Sequence, residues 1–214
     1  NSFNTRFDPP VFINDGVTAL SSTRSFKLLK DCDIKMWYPG IFKRAYVKNG
    51  YPYIKSSSMF DADPFKSCDQ LSKTRTPGLD ELWLKEGMVL ISCAGICGQA
   101  KIITKEYSEK HAIGSPDIIR LISNDELFTA EYLYAYFQLP YVYDYLQSLK
   151  YGSVIERFDI YNLDFLPVIT PTDEISKKVT QLVKEYMDYS YKAYKLEEEA
   201  ISVIESVVNS WLKQ

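Results

Sequence analysis

The sequence predicts an α+β fold: a mixed-sheet α/β domain over residues 1–170, followed by one long coiled-coil helix over 171–214. Three observations predict it. Short apolar runs bounded by Gly, Pro and Asn share the first 170 residues with short amphipathic stretches, as strands and helices packed on a common core do. After that, apolar or small residues recur at Ile175, Val179, Leu182, Tyr186, Tyr189, Ala193, Leu196, Ala200, Val203 and Val207. Their alternating steps of four and three make the a/d seam of a coiled coil. Finally, 46% hydrophobic and 25% charged residues in a chain of 214 describe a globular protein, long enough for one sizeable domain plus an appendage.

The elements follow in chain order. The first 25 or so residues read as loop, with Pro9-Pro10, Asp15-Gly16 and Ser21-Ser22-Thr23. Between the turn signals Pro39-Gly40 and Asn49-Gly50 the residues alternate as a strand does. From Phe60 to Asp80 there is no period, and Pro64, Pro77 and Gly78 mark a long loop. Strands are predicted at Met88–Cys93, Ala100–Thr104 and Asp117–Ile122, the first two joined by a glycine-bearing corner. Helices are predicted at Thr129–Leu139 and Val142–Leu149. The phrase Lys150-Tyr151-Gly152-Ser153 then leads into another strand-like run. Thr170 is placed to cap the last helix, with Pro171 in its first turn and Asp173 at the third position. That helix would run on the order of 60 Å. It either folds across its own domain or seeks a partner helix, and its length favours the partner.

Composition narrows the function classes. The four cysteines are scattered, and no apolar run approaches the ~20 residues of a membrane span. No signal peptide opens the chain, so it reads as cytoplasmic, with free thiols. It opens on Asn1, as a processed chain or a piece of a longer one would. A net charge of −3 argues against a nucleic-acid partner, but the charge is uneven. From Ile41 to Arg75 seven basic residues face three acidic ones. Such a run is either a solvated face or a surface for an anion.

Catalytic patterns are weak. The one histidine, His111, has Ser115 nearby but no acid placed to orient a triad. Cys93 and Cys97 are not spaced as CxxC, and no second pair completes a zinc site. Gly95 and Gly98 fit a corner better than a phosphate loop, since neither GxxxxGK[ST] nor GxGxxG is present. No cofactor, metal or catalytic residue is therefore assigned.

Three stretches mix the cations and hydrogen-bonding side chains that a DNA surface needs. One holds Lys43, Arg44, Lys48, Tyr51, Tyr53, Lys55 and Ser56, Ser57 and Ser58. The second holds Lys66, Lys73, Thr74 and Arg75, and the third Lys150, Tyr151, Ser153 and Arg157. For the third, a structural role of Gly152 in a tight turn stands beside DNA contact by Lys150 or Ser153.

The order of the pieces GYPYI (50–54), LKEGMVLISCAGICGQAKII (84–103), GSPDIIRLI (114–122), EYLYAYFQ (131–138) and YGSVIERFDIYNLDFLPV (151–168), closed by a long helix, resembles one family. It is similar to the target recognition domain and spacer helix of the specificity subunit of type I restriction–modification systems, from about residue 40 to the end. The resemblance implies a non-enzymatic subunit that reads double-stranded DNA. Full specificity subunits carry two such domains in tandem, each reading half of a bipartite site, with two long helices between them as a ruler. The DNA adenine methyltransferase subunits supply S-adenosylmethionine chemistry. This chain has one recognition domain and one helix, as a half-subunit or fragment would. It would then pair through its helix with a second copy or a second recognition half. Two other readings stay open: the recognition end of a fused type II restriction–methylation enzyme, and a coiled-coil protein-interaction module. The base-reading residues differ between members, so the resemblance does not name them. The loops and charge of the 43–75 region make it the first choice.

Overall fold

Residue Leu90 and its neighbours show how the core is divided. The strand Val89–Ser92 is buried on both faces, and its side chains alternate between two clusters. Val89 and Ile91 join Ile119, Leu133, Phe137 and Leu146, whereas Leu90 joins Ile54, Met59, Leu84, Tyr107 and Ile118. The fold is a computed structural model in which residues 25–61 and 63–211 are described. The turns predicted at Pro9-Pro10, Asp15-Gly16 and Ser21–Thr23 lie outside them.

In chain order the elements are β1 (Phe26–Leu28), a 3-10 turn at Leu29–Asp31, β2 (Ile34–Trp37), β3 (Tyr46–Ile54), β4 (Asp69–Leu71), α1 (Leu79–Leu82), β5 (Val89–Ser92), β6 (Ala100–Ile102), α2 (Lys105–Glu109), β7 (Ile113–Gly114) and β8 (Ile118–Ser123). They continue with α3 (Ala130–Phe137), α4 (Pro140–Ser148), α5 (Ile160–Leu163), β9 (Pro167–Ile169) and α6 (Asp173–Trp211). One antiparallel sheet has the order β2-β8-β5-β6. A second, β4-β3-β7, is mixed, because β3 runs antiparallel to β4 and parallel to β7. The strands β1 and β9 form a separate antiparallel pair. Helices α3 and α4 cover the first sheet, and α3 fixes β9 by donating the Tyr132 and Tyr136 hydroxyls to Ile169 and Pro167 carbonyls.

Arg120 joins the two larger sheets. It is fully buried on β8 and donates to the carbonyls of Gly114, Ser115 and Ile118 at 2.8–3.2 Å. A Cβ on Gly114 would lie 2.7 Å from its guanidinium, so the glycine makes room for the cation.

Four sequence expectations are corrected. Asn49-Gly50 does not turn the chain; it lies inside β3, where the register against β4 slips between Tyr46 and Tyr51. A Cβ at Gly50 would sit 2.2 Å from the Leu71 carbonyl oxygen, so this glycine serves a bulge. The loop expected over Phe60–Asp80 contains β4 and the start of α1. The strand-like run after Ser153 holds only isolated bridges and the short α5. The last helix is capped by Thr172, whose hydroxyl accepts from Ile175 N–H, while Thr170 N–H extends the β1–β9 pair by donating to Ser25.

The helix α6 is unbroken over 39 residues, about 58 Å. Its first two-thirds dock on the domain, as the reading of a helix folded across its own domain expects. Docking uses Ser176, Thr180, Val183, Met187, Ser190 and Tyr194 rather than the predicted seam. Ser176 donates to Leu127 O at 2.7 Å, and Thr180 shares a 2.7 Å hydroxyl contact with Thr129, the cap of α3. Val183 and Met187 enter the main core. This docked row has the same steps of four and three, displaced by one residue, which is roughly 100° around the helix. Of the predicted seam, Val179 is half-buried against the core and Tyr186 stacks on Tyr134 at 6.0 Å. Ile175, Leu182, Tyr189, Leu196, Val203 and Val207 stay exposed.

Candidate nucleic-acid interface

The sheet β4-β3-β7 and its connections carry most of the predicted cations. Lys48 is exposed on β3, and Lys43 and Arg44 are exposed in the connection before it. That connection is held where Ser72 N–H donates to Ala45 O at 2.8 Å. The buried Ser72 hydroxyl also accepts from the backbone N–H groups of Thr74 and Arg75, a turn that presents Lys73, Thr74 and Arg75 outward. The Lys73 ammonium lies 4.8 Å from the Tyr51 ring centroid, and the Arg44 guanidinium 5.8 Å from that of Tyr53. Lys55 is different: it pairs with Asp69 at 2.6 Å. Ser56 and Ser57 follow in a tight turn, Ser57 exposed and Ser56 half-buried. Lys66 is exposed in the next turn.

The third predicted stretch forms a knob elsewhere. Tyr151 and Arg157 exchange backbone hydrogen bonds of 2.8 and 2.9 Å, closing the loop between them. Gly152 has φ +103°, and a Cβ there would meet Ile155 O at 2.6 Å. The glycine is required by that tight closure. The knob is sewn to the glycine corner after β5: Gly95 N–H donates to Glu156 O, the Cys97 thiol to the same oxygen, and Phe158 N–H to Cys93 O. Gly95 and Gly98 have positive φ and shape this corner.

Electrostatics separate the knob from the sheet. Lys150 forms an ion pair with Glu156, and Tyr151 donates to Asp159. Burial raises the Tyr38 phenol, with Asp159 adding to the rise and Arg157 opposing it. Lys150 is thus paired with Glu156, whereas Arg157 forms no ion pair among the described residues. The tip is aliphatic instead, with Val154 93% and Ile155 65% exposed. Tyr38 abuts the knob and Arg44 reaches β3, so the connection between them, 38–45, spans both regions.

Of the candidate catalytic groups, Ser115 is otherwise occupied. The Ser115 hydroxyl faces Asp117 at 3.5 Å and accepts from its N–H, closing the turn before β8. The four cysteines are free thiols; burial pushes Cys93 up to about 12 and Cys32 up to about 11. Among the described residues no group of three His, Cys, Asp or Glu side chains is placed to hold a metal ion. No helix among them is long and apolar enough to cross a membrane.

Two residues absent from the sequence-based set stand beside this cationic sheet. Trp83 and His111 pack on Tyr51 with ring centroids 4.7 and 5.8 Å away. A lone tryptophan and a lone histidine, far apart in sequence, carried no pattern that could have marked them.

The comparisons agree with this architecture. Residues 39–206 match the type I restriction modification DNA specificity domain. The fold is similar to the crystal structure of the type I restriction-modification system S subunit from M. genitalium, with a TM-score of 0.54 at 13% identity over 81% of this chain and 41% of that one. A second similar structure is the HsdS subunit from Thermoanaerobacter tengcongensis, with a TM-score of 0.49 at 14% identity over 82% of this chain and 44% of that one. The chain therefore spans less than half the length of either. No curated protein matches it in sequence. With more than half of its length covered by that one family, the chain belongs to the type I restriction modification DNA specificity domain family.

Proposed function

We propose that this chain is the DNA-reading and spacing component of a type I restriction–modification system, working in the cytoplasm. It binds double-stranded DNA sequence-specifically and directs methyltransferase and endonuclease subunits to a bipartite target. The observation that carries the reading is the family match over residues 39–206, which includes the cationic sheet, the knob and most of α6. The globular part, residues 1–170, is the recognition domain, and 171–214 the spacer. Phosphates are met by Lys43, Arg44, Lys48, Lys73 and Arg75, which lack carboxylate partners among the described residues, and bases by the loops that hold them. Lys150 makes no phosphate contact, because Glu156 already pairs with its ammonium. The exposed seam on α6 pairs with a second copy or a second recognition half. Chemistry on the base belongs to the methyltransferase.

Selection from a random-sequence duplex library tests this, using the full chain together with its methyltransferase. Enrichment of one split motif supports the reading. Binding without sequence enrichment, or none at all, overturns it.

A further inference from the structure

The strongest unassigned feature is the aromatic group at the open side of the mixed sheet. Tyr51 comes from β3, Trp83 from the end of α1, and His111 from the turn after α2. Tyr51 meets Trp83 edge-on at 4.7 Å and lies nearly parallel to His111 at 5.8 Å. Trp83 and His111 close the triangle at 5.5 Å. Lys73 stands over the Tyr51 ring, and the turn at Ser72 places Thr74 and Arg75 beside it.

His111 is unusual in two respects. Its φ is +53°, and no other described residue except glycine has a positive φ. Its N–H donates to Ser108 O in the turn that ends α2, a position where glycine or asparagine is the usual occupant. Any side chain there is less favourable than glycine, yet the ring is exposed and fills no core. Imidazole Nδ1 is 3.1 Å from Glu109 O, which leaves Nε2 without a partner among the described residues.

The backbone bearing this ring is held from behind. Glu109 accepts from the Tyr191 hydroxyl at 2.7 Å, and Lys110 pairs with Glu198 at 2.9 Å, both on α6. On the other side, Leu84 N–H donates to Ala112 O, and Trp83 bridges Ile113. Asp80 accepts from the Trp83 indole N–H at 3.4 Å and fixes the tilt of that ring. The result is a preorganised platform of three rings with a cation at one edge and a free imidazole nitrogen at another.

We infer that Trp83 and His111 contact DNA as part of this platform, together with Tyr51 and Lys73. The His111 and Trp83 rings take deoxyribose or a thymine methyl group, and His111 Nε2 and the Lys73 ammonium take polar atoms of the backbone or a base edge. The inference rests on the DNA-binding reading above.

The decisive variant is His111→Gly, because glycine suits the backbone and removes the ring. Binding of the full chain, with its methyltransferase, is measured by anisotropy on a labelled random-sequence duplex pool at low salt. The melting temperature is measured in parallel. The variant should melt no lower than wild type and bind roughly tenfold more weakly, as expected for one lost contact. In a Trp37→Phe, Trp211→Phe background, the remaining Trp83 fluorescence should change on adding the same duplex. Wild-type affinity in His111→Gly together with silent Trp83 fluorescence overturns the inference and leaves the DNA-binding reading intact. A wild-type complex that does not bind duplex overturns both.

Discussion

Leu182 and Val183 are consecutive residues of α6, yet Leu182 is 55% exposed and Val183 only 8%. One faces away from the domain and the other into its core. Glu substitutions at the two sites should therefore do different things. Leu182→Glu with Leu196→Glu should leave the domain folded and reduce the solution mass from dimer to monomer by light scattering. Val183→Glu should destabilise the domain by about 3 kcal/mol, because it places a charge in the core. A wild-type monomer would assign the open seam to a different helix.

Salt dependence should sort the cations. Each phosphate contact contributes a slope of about −0.9 in log K against log salt. Lys73→Ala and Arg75→Ala should each flatten the slope by about that amount, and Lys43→Ala with Arg44→Ala by up to twice it. Lys150→Ala should leave it unchanged, because Glu156 already pairs with that ammonium. Anisotropy titrations at several salt concentrations check all of these, and a flattened slope for Lys150→Ala would place the knob on the DNA.

The docking of α6 should weaken in acid. Lys110, and then the Tyr194 hydroxyl, pull the Glu198 carboxyl down to about 2. A folded pKa below the unfolded one adds stability above the ordinary carboxylate range, lost as pH falls from about 4.3 towards 2. The side chain is 39% exposed, so solvent screening keeps the contribution small. Melting temperature should fall less steeply between these pH values in Glu198→Gln than in wild type. Parallel curves would leave the pair without a share in docking.

Two glycine variants should separate close approach from backbone strain. Gly50→Ala sets a Cβ against a backbone carbonyl and should cost roughly 2–4 kcal/mol. Gly95 has open space for a Cβ, so Gly95→Ala should cost only the strain of its φ of +72°, about 1 kcal/mol. Denaturant titration gives both values, and an equal cost would mean that β3 can shift away from Leu71.

The parts of the fold that were legible are those made by local pattern. The apolar runs of β5, β6 and β8 and the rhythm of α3, α4 and α6 carry their own signal, and each was found within a few residues of its predicted limits. The misreadings have physical reasons. An Asn-Gly pair serves a bulge as readily as a turn, and only the position of Leu71 across the sheet decides between them. The docking row of α6 begins with Ser176 and Thr180, whose hydroxyls are satisfied by Leu127 and Thr129. In sequence such residues look like a solvent face. The cations themselves could be located in the sequence, but their state could not. Lys73 and Lys150 look alike until Tyr51 is found under one and Glu156 beside the other.

The pairing of β1 with β9 sets Phe26 opposite Ile169, so the segment between β1 and β9 begins and ends at neighbouring points of one small ribbon. Paired strands lie about 5 Å apart. A globular unit whose two junctions meet in this way can be exchanged as a cassette. A recombination event that replaces everything between β1 and β9 leaves the flanking helix in place.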